Sequence, residues 1–215
     1  FAEEQGSFLM GIAAALKTET HKLGFVGGFD DERTRRYEAG FVAGAQSVDA
    51  DILVTSRYIA PEQAQAAIDA RNSPTQARTL AEQMLRQGTD VIYQAAGNSG
   101  SGVFDALVTA RSQGMRDVWA IGSDQDQWLT ATEDQKRVIL TSMVKQYDNV
   151  AYNFIRDYSD RKAHPGTYRA TLADHGLSFT LSGGFLVKYK IDDDLSRAEQ
   201  AIAAGQITVP ATLSR

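Results

Sequence analysis

Three consecutive stretches of this chain end in residues whose types suit binding chemistry. Residues 90–102 run from a β-rich segment into a turn with Gly97, Gly100 and Gly102 spaced G-x-x-G-x-G. Residues 118–127 end in an acidic turn holding Asp124 and Asp126, and the apolar run 138–144 ends in a lone cation, Lys145. Ligands of open α/β sheets bind beyond the carboxyl ends of the parallel strands. Glycine, carboxylate and ammonium delivered at three such ends point to one shared ligand site.

Each residue also has a plain structural reading. The glycines either let a ligand approach free N–H groups at a helix start or simply make a tight turn. Their spacing is not the dinucleotide fingerprint, and no Lys-Ser/Thr follows as a phosphate loop requires. The run from Gly97 to Ser101 comes near the nucleophile elbow G-x-S-x-G but has serine in its fifth position. His21, His164 and His175 fall in turn or loop regions, which argues against a Ser-His-Asp hydrolase. Asp124 and Asp126 miss the calcium-loop pattern because Trp128 and Leu129 follow. Asp124 is then an acceptor for ligand hydroxyls or amines, or a cap of the next turn. Lys145 is a partly buried cation, or a surface lysine whose stem covers apolar neighbours. Phe29, directly after Gly27 and Gly28, is either core or an aromatic exposed at a strand end. Asp192, Asp193 and Asp194 read as a helix-dipole cap.

Positioning these residues requires alternating strands and helices. Residues 23–28 read as a buried strand, and Tyr37, Phe41, Val42 and Ala45 within 34–48 have helical spacing. Residues 51–59 are β-rich, and 61–72 read as a surface loop or short helix. Ser73, Pro74 and Gln76 mark a helix start, with a stop at Gly88. Strand 90–95, helix 103–113, strand 117–122, strand 138–144 and helix 146–162 follow, the last with apolar Val150, Phe154, Ile155 and Tyr158. Residues 167–172 and 177–181 read as short paired strands, 192–204 as a helix, and 207–210 as a strand or extended tail. At the chain start Ser7 reads as the cap of an alanine-rich helix that has no evident partner. Short connections in this order predict right-handed βαβ crossovers and a parallel sheet covered on both faces.

Composition narrows the function. A net charge of −5 opposes nucleic acid as the main partner, because phosphate binding needs a basic footprint. The absence of cysteine excludes disulfides and thiolate metal sites. No apolar run approaches the ~20 residues that span a bilayer, and 8–16 lacks the basic region of a signal peptide. Neither metal nor cofactor is expected.

Several ordered segments resemble a known family. Phe1 to Leu9, Gly24 to Gly28, Arg36 to Phe41, Val91 to Gly97, Ile121 to Gln127, Leu140 to Lys145 and Ser182 to Phe185 are similar to the basic membrane protein family, which contains purine nucleoside receptor lipoproteins of ABC importers. The resemblance implies a type I periplasmic-binding-protein-like α/β fold, a parallel sheet flanked by helices, in two lobes with the first lobe largely missing here. It implies a lobe-one or crossover helix at 1–21, lobe two at 22–128, a return to lobe one at 129–165, and C-terminal strands and helix at 166–215. It further implies that Phe29 stacks on a purine, that Gly97 admits the ligand to the backbone, that Asp124 accepts from ribose hydroxyls and that Lys145 donates to the sugar. An acid and a base suit a neutral polyhydroxylated ligand through charge-assisted bonds. Glu3 and Glu4 lie in a family motif near the cleft, with no role assigned.

The expected function is a non-enzymatic solute-binding protein, extracytoplasmic and periplasmic or lipid-anchored. It would be a monomer that delivers a purine nucleoside to an ABC permease in the membrane. The alternatives are a ligand-sensing regulatory protein on the same fold, a binder of a sugar or other small solute, or an enzyme on a doubly wound sheet.

Overall fold

In the computed structural model, which describes residues 1–60 and 67–213, the chain opens with α1 (Glu3–Lys17), β1 (Lys22–Phe29), α2 (Glu32–Val48) and β2 (Leu53–Ala60). It continues through α3 (Ala67–Ala70), α4 (Pro74–Arg86), β3 (Val91–Ala95), a 3₁₀ turn (Gly97–Gly100) and α5 (Ser101–Ser112). Next come β4 (Trp119–Gly122), α6 (Gln127–Thr130), α7 (Glu133–Lys136) and β5 (Ile139–Lys145). The chain ends with α8 (Tyr147–Ser159), β6 (Leu177–Phe179), α9 (Phe185–Tyr189) and α10 (Asp192–Ala203).

Among the described residues the strands form one sheet in the order β2-β1-β3-β4-β5-β6. The pairs from β2 to β5 are parallel, and β6 runs antiparallel to β5 at the edge. Both faces are covered, so the central strands are buried and mostly apolar, and successive residues alternate between two cores. Phe25, Tyr93 and Ile121 pack with Leu9, Tyr37 and Phe41 on the α1/α2 side. Val26, Ile92 and Ala120 pack with Met84, Val103 and Leu107 on the α4/α5 side.

The N-terminal helix has a partner after all. Its backbone meets α2 so closely that a Cβ at Gly40 would fall 2.1 Å from the Glu4 carbonyl oxygen, and one at Gly44 2.0 Å from that of Phe8. Ser7 is not its cap. The helix begins at Glu3, and buried Ser7 hydrogen-bonds the Tyr93 hydroxyl at 3.1 Å. Ser73 likewise makes no side-chain cap, because its hydroxyl donates to the Asp69 carbonyl; Pro74 does open α4.

Residues 167–172 form no strand. Their backbone is satisfied by the start of α1 instead, Ala2 N–H donating to the Ala170 carbonyl at 2.8 Å and Leu172 N–H to Gln5 Oε1 at 3.0 Å. Freed from that pairing, β6 joins the sheet at Met143, Val144 and Lys145. Residues 207–210 stay outside the sheet. Of the loop or short helix expected at 61–72, residues 61–66 lie outside the described residues.

Candidate ligand-binding site

The carboxyl ends of β1, β3, β4 and β5 lie along one edge of the sheet. Lys145 is the last residue of β5, and its N–H donates to the Asp124 carbonyl at 3.1 Å, extending the β4–β5 ladder into the acidic turn. Asp124 has φ +69°, a left-handed conformation that Asp tolerates better than most residues. This turns its side chain onto the lysine, and Lys145 Nζ lies 3.2 Å from Asp124 Oδ1.

The two carboxylate oxygens of Asp124 differ in their partners. Oδ1 accepts from the Tyr37 hydroxyl and is ion-paired with Lys145 Nζ. Among the described residues nothing donates to Oδ2, and the side chain is 44% exposed. The capping role falls to Asp126, which accepts from Trp128 N–H at the start of α6 and from the Ser182 hydroxyl. The two aspartates of the turn therefore divide its two readings: Asp126 builds the turn and Asp124 faces outward.

Lys145 is buried, with a side chain 5% exposed. A buried cation needs charge and hydrogen-bond partners. Besides Asp124 it meets Glu3 Oε1 at 3.2 Å, and the rings of Phe1 and Tyr37 each lie 5.3 Å from Nζ. Glu3 is itself buried and takes Arg36 Nε on its other oxygen at 3.2 Å. Tyr37 sits between these carboxylates, and its burial, with the Asp124 charge beside it, pushes the phenol far above its ordinary range. It stays a neutral donor. Next to Glu3, the Glu4 carboxyl is held above its ordinary range by burial, opposed by the Arg169 guanidinium 2.5 Å away.

The other two candidate residues lie further along the edge. Gly97 is exposed with φ +59°, opening the 3₁₀ turn. Its fellow glycines serve packing, since a Cβ at Gly100 would strike the Gln94 side chain and one at Gly102 the Pro74 carbonyl. Ser99 is no nucleophile: buried, it donates to the Ala70 carbonyl at 2.7 Å and accepts from Ser73 N–H at 2.6 Å. Phe29 is half-buried at the end of β1, three strand spacings from β5, or about 14 Å. Asp124 and Lys145 thus touch, while Phe29 and Gly97 stand apart from them on the same edge.

Glu3, Arg36 and Tyr37 complete the charged end of this edge and were not assigned to it from the sequence. Tyr37 read as one position of an apolar helix stripe; its hydroxyl was the overlooked signal. Two consecutive acids, Glu3 and Glu4, inside an otherwise apolar helix were another, because such charges are buried only when paired. Among the described residues no cluster of His, Asp or Glu could hold a metal ion.

A sequence model of the PnrA-like ABC transporter substrate-binding proteins, Bmp, matches residues 1–212. The chain belongs to the Bmp family. This Bmp chain is 34% identical to the ABC transporter nucleoside-binding protein BmpA of Lactococcus lactis subsp. cremoris, over 98% of its own length and 59% of that protein's. It is 31% identical to basic membrane protein D of Borreliella burgdorferi, covering 98% of itself and 58% of the relative. The chain thus spans less than two thirds of the length of these curated relatives. Among solved structures it superposes on a solute-binding protein from Aeropyrum pernix with TM-score 0.75 at 22% identity, covering 100% of the Bmp chain and 66% of the other. A second, from Conexibacter woesei, gives TM-score 0.75 at 17% identity, with coverages of 99% and 64%. The Bmp chain therefore has the periplasmic-binding-protein-like α/β fold.

Proposed function

We propose that this chain forms part of a solute-binding protein that captures a purine nucleoside and presents it to an ABC permease. The observation that carries the reading is the half-used Asp124 carboxylate. One oxygen is held by Tyr37 and Lys145, and the other is open at the sheet edge where ligands of such folds bind. A carboxylate fixed in this way accepts from a pair of sugar hydroxyls without reorganising, and the adjoining ammonium donates to the same sugar. Phe29, about 14 Å away along the edge, would stack on the base, and Gly97 would let the base approach the backbone. The name of the Lactococcus relative supports the nucleoside class.

In this reading no bond of the ligand is made or broken, and the protein works as a monomer outside the cytoplasm, periplasmic or lipid-anchored. Among the described residues no helix is long and apolar enough to cross a membrane. We assign the sheet, with α1, to one lobe. Helix α8 leaves it with Tyr152, Phe154, Ile155 and Tyr158 exposed at 60% or more. A stripe of that kind is ordinarily covered, and in the full-length protein we assign its cover to the other lobe. Ligand would then close the two lobes by hinge motion.

The test is calorimetric titration of the full-length protein with adenosine, guanosine, inosine, cytidine, free ribose and free adenine. Tight binding of a purine nucleoside, with cytidine and the two halves bound far more weakly, is the expected pattern. Equal affinity for ribose alone would replace the nucleoside with a sugar.

A further inference from the structure

The charges around Lys145 form a chain that runs past the ligand-facing edge into the protein. Asp124 Oδ1 and Glu3 Oε1 each lie 3.2 Å from the ammonium, and Arg36 Nε lies 3.2 Å from Glu3 Oε2. Two carboxylates and two cations therefore alternate, and their charges cancel. Outside this chain, Glu4 is paired with Arg169, and Glu32 meets Arg36 from the solvent side. Lys145 is thus held between two carboxylates as an ion pair on either side.

Direct recognition of a sugar hydroxyl needs only Asp124 and Lys145. Glu3 adds something else. Without it, Asp124, Lys145 and Arg36 would together carry one net positive charge, and lysine is a natural phosphate binder. We propose that Glu3, held by Arg36, is a specificity-determining residue: it brings the cluster of Asp124, Lys145 and Arg36 to zero net charge, so the site accepts an uncharged hydroxyl-bearing ligand and rejects the phosphorylated form. A phosphoryl group brings roughly −1.5 to −2 charges near neutral pH. Beside the open Asp124 oxygen, with the cluster neutral overall, that charge meets a like charge and no surplus cation to offset it. The same ion pair positions the ammonium, holding Nζ 3.2 Å from Glu3 Oε1. The inference rests on Asp124 and Lys145 being ligand contacts.

The experiment compares affinities of the full-length protein for adenosine, adenosine 5′-monophosphate and adenosine 3′-monophosphate, in wild type and Glu3→Gln. Glutamine keeps the shape and an acceptor for Lys145 but removes the charge. Wild type should prefer adenosine to both monophosphates by on the order of 100-fold or more, as like charges at close range imply. In Glu3→Gln adenosine should weaken while at least one monophosphate gains, narrowing the ratio about 10-fold. A variant that weakens all three ligands equally makes Glu3 a merely structural residue and overturns the proposal, as does an unchanged ratio. If Glu3→Gln does not fold by circular dichroism, Arg36→Gln decides: it leaves Glu3 unopposed and should widen the ratio, and an unchanged or narrowed ratio overturns the proposal. Failure of the nucleoside reading shows separately. Wild type would then bind no nucleoside, and ribose against ribose 5-phosphate replaces the pair, with the same shift in Glu3→Gln expected. A wild type that binds none of these probes overturns both.

Discussion

Lys145 Nζ and Glu3 Oε1 lie 3.2 Å apart and tie the last residue of β5 to the first residue of α1. The proposed binding edge therefore depends on how α1 sits, and α1 sits where α2 allows. That dependence makes residues remote from any ligand matter to binding.

Tyr37→Phe keeps the ring beside Lys145 and removes the hydroxyl that holds Asp124 Oδ1. A hydrogen bond to a charged group is worth about 1.5–3 kcal/mol. Part of that loss should be recovered by Lys145, so nucleoside affinity is expected to fall about 10-fold with little change in stability. Titration alongside a thermal melt separates the two, and unchanged affinity would show that Asp124 needs no such support.

Gly40→Ala should destabilise the fold. The added carbon falls 2.1 Å from the Glu4 carbonyl oxygen, and backbone cannot yield as a side-chain tip can. Overpacking of this kind costs about 1–3 kcal/mol or more. Displacing α1 also moves Glu3, so binding should weaken further than the stability loss alone explains. Denaturant unfolding and titration of one sample test both parts; a variant as stable as wild type contradicts the helix contact.

Much of this was legible in the sequence. Helix starts, glycine stops and apolar runs placed β1 to β5 and α4, α5 and α10 to within a few residues, because local patterning governs those elements. That Asp124 and Lys145 lie at one end of the sheet was legible because Lys145 closes β5 and Asp124 falls just past the end of β4. Three features depended on distant contacts. The α1/α2 seam shows only as small residues, Gly40 and Gly44, one turn apart. Residues 167–172 look β-rich, yet their hydrogen bonds go to the start of α1. The apolar positions of α8 mark it as a helix but do not say what covers them, and Phe154, Ile155 and Tyr158 are exposed here. The contacts of Glu3 with Lys145 and of Tyr37 with Asp124 join residues far apart in the chain, so their types hint at burial with a partner but do not name the partner.

Ile155→Asp tests the cover assigned to α8. If the other lobe packs on this face, a charge placed there is buried without a partner and should destabilise the full-length protein by several kcal/mol, on the order of 2–4. If the face stays in water, the change should remain within about 0.5 kcal/mol. Chemical unfolding of the full-length variant reads the difference directly.

Glu4 gives a pH signature. Its folded-state pKa is raised by burial despite Arg169, so the folded protein holds this proton more tightly than the unfolded chain does. Stability from this group is then fully present below the ordinary value of 4.5 and is lost as pH rises through the raised one. Relative to wild type, Glu4→Gln should gain stability as pH climbs from about 4.5 toward neutrality. Unfolding midpoints measured across that window check the sign; a stability difference that does not change with pH removes Glu4 from the explanation.

The most direct test is a double-mutant cycle between Asp124 and the sugar. Affinities of adenosine, 2′-deoxyadenosine and 3′-deoxyadenosine would be measured for wild type and Asp124→Asn. If the open Asp124 oxygen reads the ribose, wild type should lose about 10-fold or more on removal of one hydroxyl, and most of that penalty should vanish in Asp124→Asn. A penalty of the same size in both proteins would place the sugar elsewhere and contradict the assignment.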